Sequence, residues 1–74
     1  MFKKLSQDQI NEVLNHAKDM IRQHPEYRWG QSVFNSLCQF YPDTANAIRT
    51  TENDPYYNDG IVDQCINFIK EKED

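Results

Sequence analysis

Apolar residues recur at three- and four-residue steps along most of this chain. Between residues 10 and 21 they fall at Ile10, Val13, Leu14, Ala17, Met20 and Ile21, the spacing of one face of a helix. At about 100° per residue these positions cover an arc of about 120°. Asn11, Glu12, Asn15, Lys18, Asp19 and Arg22 take the opposite side. Ser6 with Gln9 three residues on forms a capping box, and Leu5 with Ile10 a hydrophobic staple. The spacing therefore predicts a first helix over about 6–23. Pro25 ends it, because proline disfavours helical geometry in the residue before it.

A second helix is predicted over about 28–41. Trp29, Val33, Phe34, Leu37, Cys38 and Tyr41 share one side, with Phe40 at its margin. Arg28, Gln31, Ser32, Asn35 and Gln39 share the other. Gly30 lies on the apolar side near its start, where a missing Cβ lets a backbone or a ring come close. Pro42 ends this helix. A short third helix over about 43–50, capped by Asp43, carries Ala45 and Ile48 inward, and Thr50 and Thr51 weaken its end. After a loop at 51–59, a last helix over about 60–72 is capped by Asn58 or Asp59. It shows Ile61, Val62, Cys65, Ile66, Phe68 and Ile69 on one face. Glu71, Glu73 and Asp74 oppose its dipole and predict a frayed last turn. No run alternates at period two. The expected fold is all-α: one domain spanning 1–74, a compact bundle of three main helices plus one short helix.

Composition narrows the function more than the fold. With 74 residues, 38% hydrophobic and 27% charged, the chain reads as one small soluble globule near the lower size limit for a single core. A net charge of −4 disfavours non-specific binding to nucleic acid, which needs a surplus of Lys and Arg. No apolar run approaches the roughly 20 residues of a membrane span, and MFKKLSQDQ has no apolar stretch of a secretory signal. Cys38 and Cys65 both fall on apolar faces and are expected as reduced core residues of an intracellular protein.

Chemistry finds little to use. His16 and His24 are about two helical turns apart, too far to share an ion without other ligands. Glu52, Asp54, Asp59 and Asp63 resemble a calcium loop in composition alone, since aligning Gly60 with the loop glycine puts Pro55 at the first ligand position. Neither cysteine has a histidine placed to activate it, and the loop carboxylates sit in a solvated setting. The expectation is no enzyme, no catalytic residue, no metal and no cofactor. The first two helices could mimic a helix-turn-helix, with Arg28, Gln31, Asn35 and Gln39 of types that contact bases. Arg28 is the only cation on that face, with Glu26 beside it, so a polar face in water is the better reading.

The stretch NDPYYNDG, 53–60, places Tyr56 and Tyr57 between two turn devices. Asp54-Pro55 starts a turn, and Asn58-Asp59-Gly60 supplies turn geometry and caps. One tyrosine is expected to close an end of the core and the other to stay partly exposed as a contact residue. The stripe Arg28, Gln31 and Asn35 is either solvated surface or turns back to hold this loop, with Arg28 paired to Asp54 or Asp59.

RWGQSVFNSL followed by DPYYND resembles a family of small proteins of tailed bacteriophages and prophages. Its recurring pattern is Arg-x-Gly-Gln, Asn and Leu down the same helix, then Asp-Pro-aromatic-Tyr before a final helix. Arg28, Gly30, Gln31, Asn35, Leu37, Asp54, Pro55, Tyr56 and Tyr57 match it. The likeness covers about residues 25 to 70, and the chain is similar to the small early-region open reading frames of T-even phages. The resemblance implies a phage accessory protein acting in the host bacterial cytoplasm by binding another protein, a host factor or itself. It brings no catalytic residue. The candidate partner-binding residues are Arg28, Trp29, Gln31, Asn35, Asp54, Tyr56 and Tyr57. A DNA-binding regulator using the second helix, and a protein that sequesters a nucleotide or small molecule, are the alternatives.

Overall fold

The capping box sets where the first helix begins. Gln9 N–H donates to Ser6 Oγ at 3.2 Å, and Ser6 N–H donates to Gln9 Oε1 at 2.9 Å. From there the computed structural model, which describes residues 2–71, runs α1 Gln7–Gln23, α2 Trp29–Phe40, α3 Pro42–Ile48, a 3-10 turn Asp59–Ile61 and α4 Val62–Ile69. No strand forms among the described residues. The fold is an all-α bundle, as the periodicity predicts. Leu5, Ile10, Val13 and Ala17 are buried together with residues of every other helix in one core.

The middle of the bundle is α2, which packs against α1, α3 and the 3-10 turn. Val33, Phe34 and Leu37 fill the core as expected, but Ser32 points inward rather than to water. Ser32 and Ser36 are both fully buried. Ser36 faces α1, its hydroxyl 2.8 Å from His16 Nδ1 and 3.5 Å from Met20 Sδ. Ser32 lies one turn earlier, on the same side, and its hydroxyl has no partner among the described residues. A helix covered on two sides needs small residues where a neighbouring backbone comes close. An apolar count assigns such residues to solvent.

Two further boundaries move. Pro42 is the first residue of α3, so Asp43 sits inside the first turn without a side-chain capping bond. Proline fits there because that position needs no N–H and a helical φ. α3 stops at Ile48, and Thr50 adopts a left-handed conformation at φ 61°. The last helix starts through the 3-10 turn, which Asn58 caps by accepting Gly60 N–H at 2.9 Å. Val62, Cys65 and Ile69 are buried, whereas Phe68, at the edge of the stripe, is 41% exposed and packs on Phe2 with ring centroids 5.6 Å apart.

α4 ends at Ile69 rather than near residue 72 because Lys70 turns extended. Leu5 N–H donates to Ile69 C=O at 2.8 Å, and Glu71 N–H donates to Leu5 C=O at 2.7 Å. This lone parallel bridge takes the backbone groups that another helical turn would use. The expected fraying at Glu73 and Asp74 lies outside the described residues.

Candidate functional site

The 49–61 segment is built from its backbone outward. Two residues past the end of α3, Thr50 is left-handed, a conformation that costs a β-branched residue about 1–2 kcal/mol. Asp54 offsets part of that cost by bonding at both oxygens. Its Oδ2 accepts Thr50 N–H at 2.8 Å, and its Oδ1 accepts Tyr56 N–H at 2.9 Å across Pro55. Gln64 of α4 holds the loop from the other side, donating to Glu52 C=O at 3.3 Å and Asn53 Oδ1 at 3.0 Å.

The start of α2 completes the seat. Arg28, at its N-cap, makes no side-chain capping bond. The cap comes from the loop instead: Gly30 N–H donates to Asp59 Oδ1 at 2.8 Å. A carboxylate there satisfies one orphan donor and meets the positive end of the helix dipole. Gly30 is buried, and a Cβ on it would collide with the Pro55 carbonyl oxygen and stand 2.9 Å from Asp59 Oδ1. Pro55 is itself fully buried. The close approach expected at Gly30 is therefore made by the loop backbone.

Arg28 does not pair with Asp54 or Asp59, the partners expected from the sequence. Its Nη2 donates to the Tyr56 carbonyl at 2.8 Å. Both carboxylates are already engaged by backbone N–H groups, so a carbonyl is the acceptor left in reach.

These bonds separate the two tyrosines. Tyr56 is half-buried and meets Phe34 edge-on, with centroids 5.9 Å apart. Tyr57 is 80% exposed, its ring 4.7 Å from that of Tyr56. Together with Phe34, Asn35, Cys38, Arg49 and the strained Thr50 they line a groove of about 430 Å³. The Arg49 guanidinium lies over the Phe34 ring, 5.1 Å from its centroid.

Of the candidate residues, Asn35, Asp54, Tyr56 and Tyr57 meet at this groove. Arg28 supports it from behind. Trp29 packs half-buried against the core, and Gln31 is half-buried outside the groove lining. Sequence reasoning missed Arg49, Thr50 and Phe34 as groove residues, and it placed Cys38 in the core. Cys38 is half-buried at the groove, while Cys65 is fully buried. Burial, then the charge of Asp54, pushes the Cys65 thiol up to about 12, so it stays protonated and inert.

A second groove, about 490 Å³, lies by Phe2, Leu5, Gln9 and Tyr41. Its two hydroxyl groups are already paired. Tyr41 O–H donates to Glu12 Oε1 at 2.7 Å, and Thr44 O–H donates to the Lys3 carbonyl at 3.2 Å. The Glu12 bond raises the Tyr41 hydroxyl above the usual tyrosine range. Among the described residues no cluster of His, Cys, Asp and Glu is placed to hold a metal ion, and no helix is long and apolar enough to cross a membrane. No family model, no curated protein and no solved structure matches this chain.

Proposed function

We propose that this chain is a small helical binding protein whose Tyr56–Tyr57 edge holds another protein. In keeping with its resemblance to small phage proteins, we propose that the partner is a bacterial host factor met in the cytoplasm. One observation carries the reading. Tyr57 is 80% exposed on a loop tied to α2 and α4 by side-chain hydrogen bonds and braced internally by Asp54. An exposed tyrosine on a rigid mount loses little entropy on docking, and such rings are frequent anchors in protein interfaces.

A tagged wild-type chain would be used to capture partners from bacterial lysate. The captured protein would then be purified and titrated against wild type and Tyr57→Ala. The expected result is a specific complex that Tyr57→Ala weakens about tenfold or more, the loss of an aromatic anchor. Equal affinity for both chains at equal thermal stability would overturn the reading. The DNA-binding alternative loses support because the cation of the second helix is engaged with the loop carbonyl.

A further inference from the structure

We infer that the groove takes an extended peptide segment of its partner that carries a carboxylate beside an apolar or proline side chain. This rests on the protein-binding reading above and names what the edge would recognise.

The inference follows from which charge in the groove is left over. Two ionic side chains line it, Arg49 and Asp54. The Asp54 carboxylate is engaged by two backbone N–H groups. Arg49 has long contacts to Asn46 Oδ1 at 3.5 Å and Cys38 Sγ at 3.7 Å. Among the described residues the ion pairs are Arg22–Asp19 and His24–Glu26, so no carboxylate answers Arg49. The Phe34 ring, its centroid 5.1 Å from the guanidinium carbon, favours a cation at this place, and an arginine can meet a carboxylate with two parallel N–H groups.

Around that cation the surface is aromatic. The ring of Tyr56 and the exposed ring of Tyr57 stand at an angle to each other, 66° between planes. In edge-to-face contact they offer an angled aromatic surface, which suits a proline or aliphatic side chain better than a flat stacked base. A polyphosphate would also meet the Asp54 carboxylate with more than one negative charge. The chain's net charge of −4 does not forbid an acidic peptide, because at physiological salt charges beyond about 8 Å are largely screened. The local pair with Arg49 then dominates.

The test is selection from a displayed library of random short peptides on three chains: wild type, Arg49→Gln and Tyr57→Ala. Arg49 and Tyr57 are both exposed, and circular dichroism would verify that each variant keeps its helices. Wild type is expected to enrich peptides with Asp or Glu next to Pro or an aliphatic residue. Arg49→Gln should bind those peptides about tenfold more weakly and lose the acidic preference. A bound peptide should also slow maleimide labelling of Cys38.

Equal acid enrichment on wild type and Arg49→Gln would overturn the inference while leaving a protein-binding edge intact. So would peptides that bind without slowing Cys38. Identical pools on wild type and Tyr57→Ala would sink the binding edge itself, and this inference with it. Concentration-dependent self-association in sedimentation that Tyr57→Ala abolishes would assign the groove to a second copy and overturn the acidic peptide.

Discussion

Gly30 and Thr50 are each the wrong residue by local propensity, and both lie where the chain meets the tyrosine loop. In a free helix, alanine at position 30 would gain up to about 1 kcal/mol over glycine. Here its Cβ would strike the Pro55 carbonyl. Overpacking costs about 1–3 kcal/mol, and a displaced loop loses the Asp59 bond of about 1 kcal/mol besides. The second effect wins, so Gly30→Ala is expected to lower stability by about 1–3 kcal/mol, read by urea unfolding. Thr50 runs the opposite way. Its φ of 61° suits glycine, and Thr50→Gly is expected to raise stability by about 1 kcal/mol. An unchanged or lower urea midpoint would mean that the Thr50 side chain contributes more at the groove than its backbone strain costs.

Helices here are completed by groups that lie far from them in sequence. α2 is capped by Asp59, and the end of α4 is held by Leu5. Asp59→Ala is expected to cost about 1–2 kcal/mol, the upper range for a lost cap, and to loosen the whole 53–61 segment. Amide exchange would show it: the Gly30 and Tyr56 N–H groups should exchange faster, while N–H groups in the middle of α1 change only with global stability. Equal slowing or quickening at all sites would mean that Asp59 is an ordinary surface contributor rather than the latch between loop and helix.

At the scale of the whole molecule, one buried thiol ties stability to pH. Cys65 is raised from about 9 to about 12 by burial and by Asp54. Its folded value lies above its unfolded value, so the folded state holds the proton more tightly. The stability this gives is complete below the unfolded value and is lost as pH rises from about 9 through about 12. Stability should fall there by at most about 1.4 kcal/mol per pH unit from this group. Tyr41, raised by Glu12, adds a loss of the same sign at higher pH. Melting temperature against pH for wild type and Cys65→Ala checks it: the variant starts lower at neutral pH because a core side chain is gone, but its alkaline decline is shallower. Parallel declines would place the titrating group elsewhere.

The sequence by itself determined the helices and the core. Residues at three- and four-residue steps must bury one face, and Ile10, Val13, Ala17, Val33, Leu37, Cys65 and Ile69 are buried accordingly. The capping box at Ser6 was equally legible, because capping is a contact between near neighbours in the chain. The cap of the last helix was narrowed only to Asn58 or Asp59, and the fold gave Asn58 the 3-10 turn and Asp59 the start of α2. Tertiary structure alone decided which neighbour each exposed polar group meets. It turned Ser32 inward, gave Arg28 the Tyr56 carbonyl and brought Arg49 beside the tyrosines. It also sent Tyr56 to Phe34 and Tyr57 to solvent. Periodicity records how much apolar surface a helix must hide, a property of the segment. Which donor finds which acceptor depends on how segments far apart in sequence pack, and no local pattern carries that.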